Sequence, residues 1–165
     1  MKYRVFFAAL TMVAACSGAT VARDSRGGIR PLERVRASQV IEQGLAAQGL
    51  QGEAGHRIRI AGRVEIDCDV FIRGTRNCIE YTSEAERARY GSAVPTHSNP
   101  DALVVVASAE ADVGGHVLFV DDRDFVYEPD PDRAGPGHPT VGEVEDRLRR
   151  MVTDYAVWLR RQGGR

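Results

Sequence analysis

The sequence predicts an α+β fold: an antiparallel sheet of four or five strands, with a long C-terminal helix and an N-terminal helix packed on one face. Three observations predict it. Apolar and charged residues alternate from Arg57 to Arg73, the period of a half-buried strand. An apolar stripe at 3.6-residue spacing runs from Val141 to Leu159, as on a helix that covers a sheet. Short β-branched runs between them, parted by Gly- and Pro-rich stretches, supply the remaining strands.

Met1 to Arg4 carries two positive charges, and Val5 to Ala15 is uncharged and mostly apolar. These are the parts of a secretory signal peptide over residues 1–15. The apolar run is too short to span a bilayer, which takes about 20 residues. Its closing tetrapeptide, Val13-Ala14-Ala15-Cys16, resembles the lipobox of bacterial lipoproteins. The resemblance implies a diacylglyceryl thioether on Cys16 and cleavage just before it. Cutting 15 residues from 165 leaves 150, which suits one domain, and the loss of Lys2 and Arg4 takes the formal charge from −1 to −3. Such a mildly acidic chain offers no electrostatic case for nucleic acid. Lys2 is the only lysine, so the mature chain has no Schiff-base lysine, Ser-Lys pair or P-loop lysine.

Residues 16–30 read as the lipidated cysteine and a flexible tether, reaching roughly 20 Å by flexible-chain scaling. Residues 31–162 read as a single α+β domain. Leu32, Val35, Val40, Ile41 and Leu45 predict a helix over about 31–47, with Pro31 in its first turn. Gln51 to Gly55 is a loop. From Ile58 to Ile72 the even positions are apolar apart from Gly62, and the odd ones are charged apart from Ala61 and Phe71. A tight turn at Ala61-Gly62 would pair Ile60 with Arg63 and mix the faces. The pattern therefore reads as one long strand bent at Gly62, its charged face solvated.

Arg73 to Asn77 is a turn, and Cys78 to Tyr81 returns as a partner strand. Cys68 and Cys78 form an even pair, and an oxidising envelope makes a disulfide their default state. Zinc would want four ligands, and no histidine lies beside this pair. Facing Cys68 with Cys78 sets Val70 against Arg76, whereas matching Val70 with Ile79 puts the cysteines on opposite faces. A bulge at Gly74 reconciles the two. Ser83 to Tyr90 reads as a short helix, Ala102 to Ala109 as a buried strand and His116 to Val120 as the next. Phe125 to Tyr127 extends the latter past an acidic interruption. Asp121, Asp122, Asp124, Glu128, Asp130 and Asp132 read as a solvated edge. Asp130-Pro131-Asp132 opens like a calcium loop, but Ala134 and Val141 stand where oxygen ligands belong. Thr140 to Glu143 is a capping box that starts the final helix, and Gly163 stops it.

No GxSxG, HExxH, CxxC, P-loop or Rossmann motif is present, and the sequence calls for no metal and no cofactor. One stretch carries a second resemblance. Gly62 to Val70, then Gly74 to Ile79, then Glu84 resembles the first hairpin of TonB-type C-terminal domains. That likeness implies a small sheet with helices on one face, used to bind another envelope protein. The strand at Leu103 to Val106 and the long final helix depart from that family.

The expected function is a non-enzymatic lipoprotein on the periplasmic face of the outer membrane of a Gram-negative-type envelope, since Ser17 stands where an inner-membrane retention signal has Asp. Anchored to membrane lipid through acylated Cys16, it would bind or scaffold an envelope protein partner. The charged face of the 57–73 strand and an open sheet edge are the candidate contact surfaces. The alternatives are a TonB-C-terminal-like partner-binding domain and a lipid-anchored hydrolase using His97 or His138.

Overall fold

The structure is a computed structural model that describes residues 28–60, 64–96, 99–109 and 114–163. The signal segment, Cys16 and His97 lie outside the described residues. In order, the chain forms β1 (Arg30–Pro31), α1 (Arg34–Ala47), β2 (Gly52–Arg59), β3 (Glu65–Ile72) and β4 (Cys78–Thr82). It continues through α2 (Glu84–Tyr90), β5 (Val104–Ala107), β6 (His116–Asp121), β7 (Val126–Tyr127) and α3 (Val141–Gly163). The fold is α+β. Its main sheet has the order β2-β3-β4-β6-β5, and β1 pairs with β7 in a separate two-stranded ladder.

The sheet is mixed where an antiparallel one was expected, because β4 and β6 run parallel. Parallel neighbours need a crossover of about a dozen residues or more. Residues 83–115, carrying α2 and β5, supply it.

The long strand expected from Ile58 to Ile72 is instead the hairpin β2–β3. Ile58 faces Ile66 and Arg59 faces Glu65, a register centred on position 62, and the Ile60 N–H donates to the Val64 carbonyl at 2.9 Å. Centring the connection on one residue pairs even positions with even ones. The faces therefore stay unmixed, as a two-residue turn would not allow.

Within β3 the apolar residues change sides. Ile66 and Cys68 join one core, while Val70 and Ile72 join the other. The change falls where the β2–β3 register passes from His56–Cys68 to Ala54–Val70 without a Gly55–Asp69 pair, and Gly55 has φ +62°. There the Asp69 carboxylate takes the place of main chain and accepts the Tyr81 N–H at 2.8 Å. This resolves the register conflict without a bulge at Gly74. Val70 faces Ile79, yet Cys68 and Cys78 form a disulfide with a Cα separation of 6.1 Å, an ordinary span for such a bridge.

One core lies between the sheet and the helix pair α1 and α3. The helices cross closely: a Cβ on Gly44 would sit 3.0 Å from Val152 Cγ1. The other core lies on the opposite face, where the sheet curls until its two edges touch. Ile60 bridges Ser108, and the Ala109 N–H donates to the Arg59 carbonyl at 2.8 Å. Tyr90, Phe119 and the disulfide fill that curl.

The ends of the domain also differ from expectation. Pro31 is a strand residue and not a first-turn residue, because Arg30 and Pro31 pair with Tyr127 and Val126. Phe125 to Tyr127 does not extend β6; a 3-10 turn at Asp122–Asp124 redirects the chain toward β1. β5 lies at the sheet edge, so of its four residues only Val104 is buried. Val35, expected in the α1 stripe, is 73% exposed.

Candidate functional site

Strands β4 and β6 end side by side, Thr82 opposite Asp121. From there the chain leaves the sheet in two directions, into α2 and into the 3-10 turn. Diverging connections at the carboxyl ends of parallel strands open a crevice. Ser83 caps α2 through a reciprocal box: the Ser83 N–H and hydroxyl donate to Glu86 Oε2 at 2.8 and 2.7 Å, and the Glu86 N–H reaches the Ser83 oxygen. The crevice beneath α2 is a cavity of about 100 Å³. Val104 and Phe119 line it from the sheet and Val94 and Pro95 from the segment after α2, while Arg87, Asp121 and Arg123 supply its charge.

These charges are locked to one another. Asp121 Oδ1 accepts the Arg123 N–H at 2.9 Å and its Nε at 3.1 Å, and Oδ2 accepts Nη2 at 2.8 Å. Arg87 Nη1 lies 2.6 Å from Asp121, and Arg87 also donates to the Thr82 carbonyl at 3.0 Å and to Asp122 at 3.3 Å. Burial pushes the Asp121 carboxyl up, but its hydrogen bonds with Arg123 and the charges of Arg87 and Arg123 outweigh this and hold it below its ordinary value.

On the far side of α2 a second cluster forms. Glu80, wholly buried in β4, accepts the Tyr90 hydroxyl at 3.1 Å and lies 3.9 Å from Arg34 Nη1. Arg34 also binds Asp69 at 2.9 and 3.1 Å and pairs with Glu86. Three carboxyl groups thus share one guanidinium, and Glu80 Oε2 has no partner among the described residues. Burial, with repulsion from Asp69 and Glu86, pushes Glu80 up to about 8. Glu86 moves the other way: burial opposes its ionisation, but the Ser83 bonds and Arg34 prevail.

An ionised, multiply bonded Asp121 is a poor base, and a Glu80 closed off from solvent reaches no substrate. The Ser83 hydroxyl does stand on the Glu86 carboxylate, but both are engaged in capping α2. The arrangement is equipped to bind a ligand. Among the described residues no group of three or more His, Cys, Asp or Glu is placed to hold a metal.

No family model, curated protein or solved structure matches the chain.

His138 is exposed in the loop before α3, its main chain bonded in both directions to Gly135. Cys68 and Cys78 are joined inside the curl. The charged hairpin face, expected as a contact surface, is paired within itself: Arg57 with Asp67 at 2.7 Å and Arg59 with Glu65 at 3.1 Å. The acidic run is not a solvated edge throughout, because Asp121 and Glu128 are buried.

Reading the sequence by motif passes over Arg34, Asp69, Glu80, Arg87 and Arg123. One signal was available: Glu80 is a lone acid between Ile79 and Tyr81 in an apolar strand. Burying a carboxylate there costs several kcal/mol unless it is paired or protonated.

Proposed function

We propose that the protein is a non-enzymatic, lipid-anchored binding module of a bacterial cell envelope. In this reading Cys16 carries the lipid, the following residues form the tether, and the domain engages an envelope partner at the crevice below α2. One observation carries the binding role: the cavity combines an apolar floor with charged groups already neutralised in place, which suits recognition and leaves no free acid or base for turnover. The buried Cys68–Cys78 disulfide agrees with an oxidising compartment. A lipid-anchored hydrolase is the rival, and it would have to act through His97 or through His138 in its exposed loop.

Photo-crosslinking in cells tests the reading. A photoreactive side chain at Thr96, on the cavity wall, is expected to trap a discrete envelope protein. The same group at Asp154, on the exposed side of α3, is expected to trap none. Equal capture at both positions, or capture at neither, would count against a partner bound at this crevice.

A further inference from the structure

We propose that the cavity below α2 binds a carboxylate joined to a compact apolar group; the inference rests on the binding-module reading and names the ligand class of that same site. Size comes first. A cavity of about 100 Å³ is of the order that accepts a single small ring or branched alkyl group, and engineered apolar cavities of roughly 150 Å³ hold benzene. Chain composition comes second. Val94, Pro95, Val104 and Phe119 offer no polar side-chain atom and Thr82 and Thr96 add one hydroxyl each, so the wall is mainly apolar and suits an apolar inner part of the ligand.

Charge comes third. Two guanidiniums and one carboxylate line the cavity, a formal excess of one positive charge. Asp122, which does not line the cavity itself, cancels that excess by pairing with Arg87, so the attraction for an anion rests on the open side of Arg123. The Arg123 side chain is 66% exposed, so its guanidinium is open to solvent while one edge grips Asp121. A guanidinium presents five N–H donors in a planar fork, more than one carboxylate occupies. A ligand carboxylate at the mouth therefore meets Arg123, while its apolar part sits over Phe119 and Val104. A cationic ligand of the same shape would meet the same guanidinium and be repelled.

Two sources present this chemistry: a free acid and the C-terminal residue of a polypeptide. The probes are benzoate, benzamide and benzamidine, which share a ring and a planar head group but differ in charge. Titrated into the isotope-labelled full chain up to about 10 mM, where affinities of about 4 kcal/mol register, benzoate is expected to shift the amides of Thr82, Gly91 and Phe119 saturably. Benzamide should bind at least about threefold more weakly, and benzamidine should leave those amides unmoved.

Arg123→Gln, a change at an exposed side chain, should weaken benzoate about fivefold and leave benzamide unchanged. Val94→Trp, which fills the cavity from its wall, should abolish both responses. A tetrapeptide ending in phenylalanine, as acid and as amide, separates the sources. Tighter binding of the peptide acid than of benzoate assigns the site to a polypeptide terminus, and the reverse assigns it to a free acid; both support the shared chemistry.

Equal binding of all three probes, or no saturable shift with any of them, overturns the proposal. Partner capture at Thr96 without a benzoate response would overturn the ligand class alone. A benzoate response without partner capture would support the ligand class and overturn the protein-partner reading.

Discussion

At Glu80 the fold holds a carboxyl group that water no longer reaches, between two other carboxylates and a single guanidinium. Its pKa, raised from 4.5 to about 8 by burial and by its acidic neighbours, means the folded chain keeps a proton that the unfolded chain releases. The sign follows. This contribution to stability is fully present below the unfolded value and is lost as pH rises through about 8, with a magnitude on the order of a few kcal/mol. Asp121 and Glu86, both lowered, act oppositely: their contributions stand above the ordinary carboxylate value and disappear as pH falls through their folded values. Stability should therefore peak between these limits. Glu80→Gln keeps the shape and removes the ionisation. Thermal unfolding from about pH 5 to about pH 9 should show the alkaline decline flattened in this variant, with its Tm above wild type at the upper end. A decline of the same steepness in both proteins would assign the titration to another group.

Among the elements, α3 and α2 were legible because their signals are local. Thr140 to Glu143 places a hydroxyl and a carboxylate three residues apart and closes as the expected capping box; Ser83 and Glu86, at the same spacing, close as a second that was not expected. The β2–β3 hairpin was not legible. Alternation of period two is the same in one bent strand as in two strands joined about a single central residue. Only pairing with β4 on one side, and closure against Ser108, separates them. The disulfide belongs to this scale. It ties β3 to β4 across a separation of 10 residues, just where β3 changes face. In the chain-entropy model such a bridge contributes about 2.5–3 kcal/mol. Urea unfolding of Cys68→Ala/Cys78→Ala should show a loss of that order, with reduction of the wild type giving a similar one. Coincident midpoints with and without the bridge would mean that the ladder and the curl hold the hairpin unaided.

For the whole molecule, the proposed address has a direct consequence: protein extracted from membranes should have the mass of residues 16–165 with acyl groups on Cys16. Cys68 and Cys78 should resist alkylation until reduced. A full-length mass with three alkylated thiols would overturn the anchor, the tether and the envelope location together. From the sequence alone came the α+β class, the capping box at Thr140, the long C-terminal helix and the availability of a cysteine pair. Each rests on periodicity or on residues close in sequence, where geometry follows from backbone repeat alone. The parallel pairing of β4 and β6, the change of face within β3, the edge-to-edge closure and the cavity below α2 were decided only by tertiary structure. They depend on which distant segments meet. Arg34 reaches Glu80, and Arg87 reaches Asp121, only after the crossover has brought α2 over the strand ends. No local spacing carries that information, because the energy that selects it comes from burying two faces of one sheet at once.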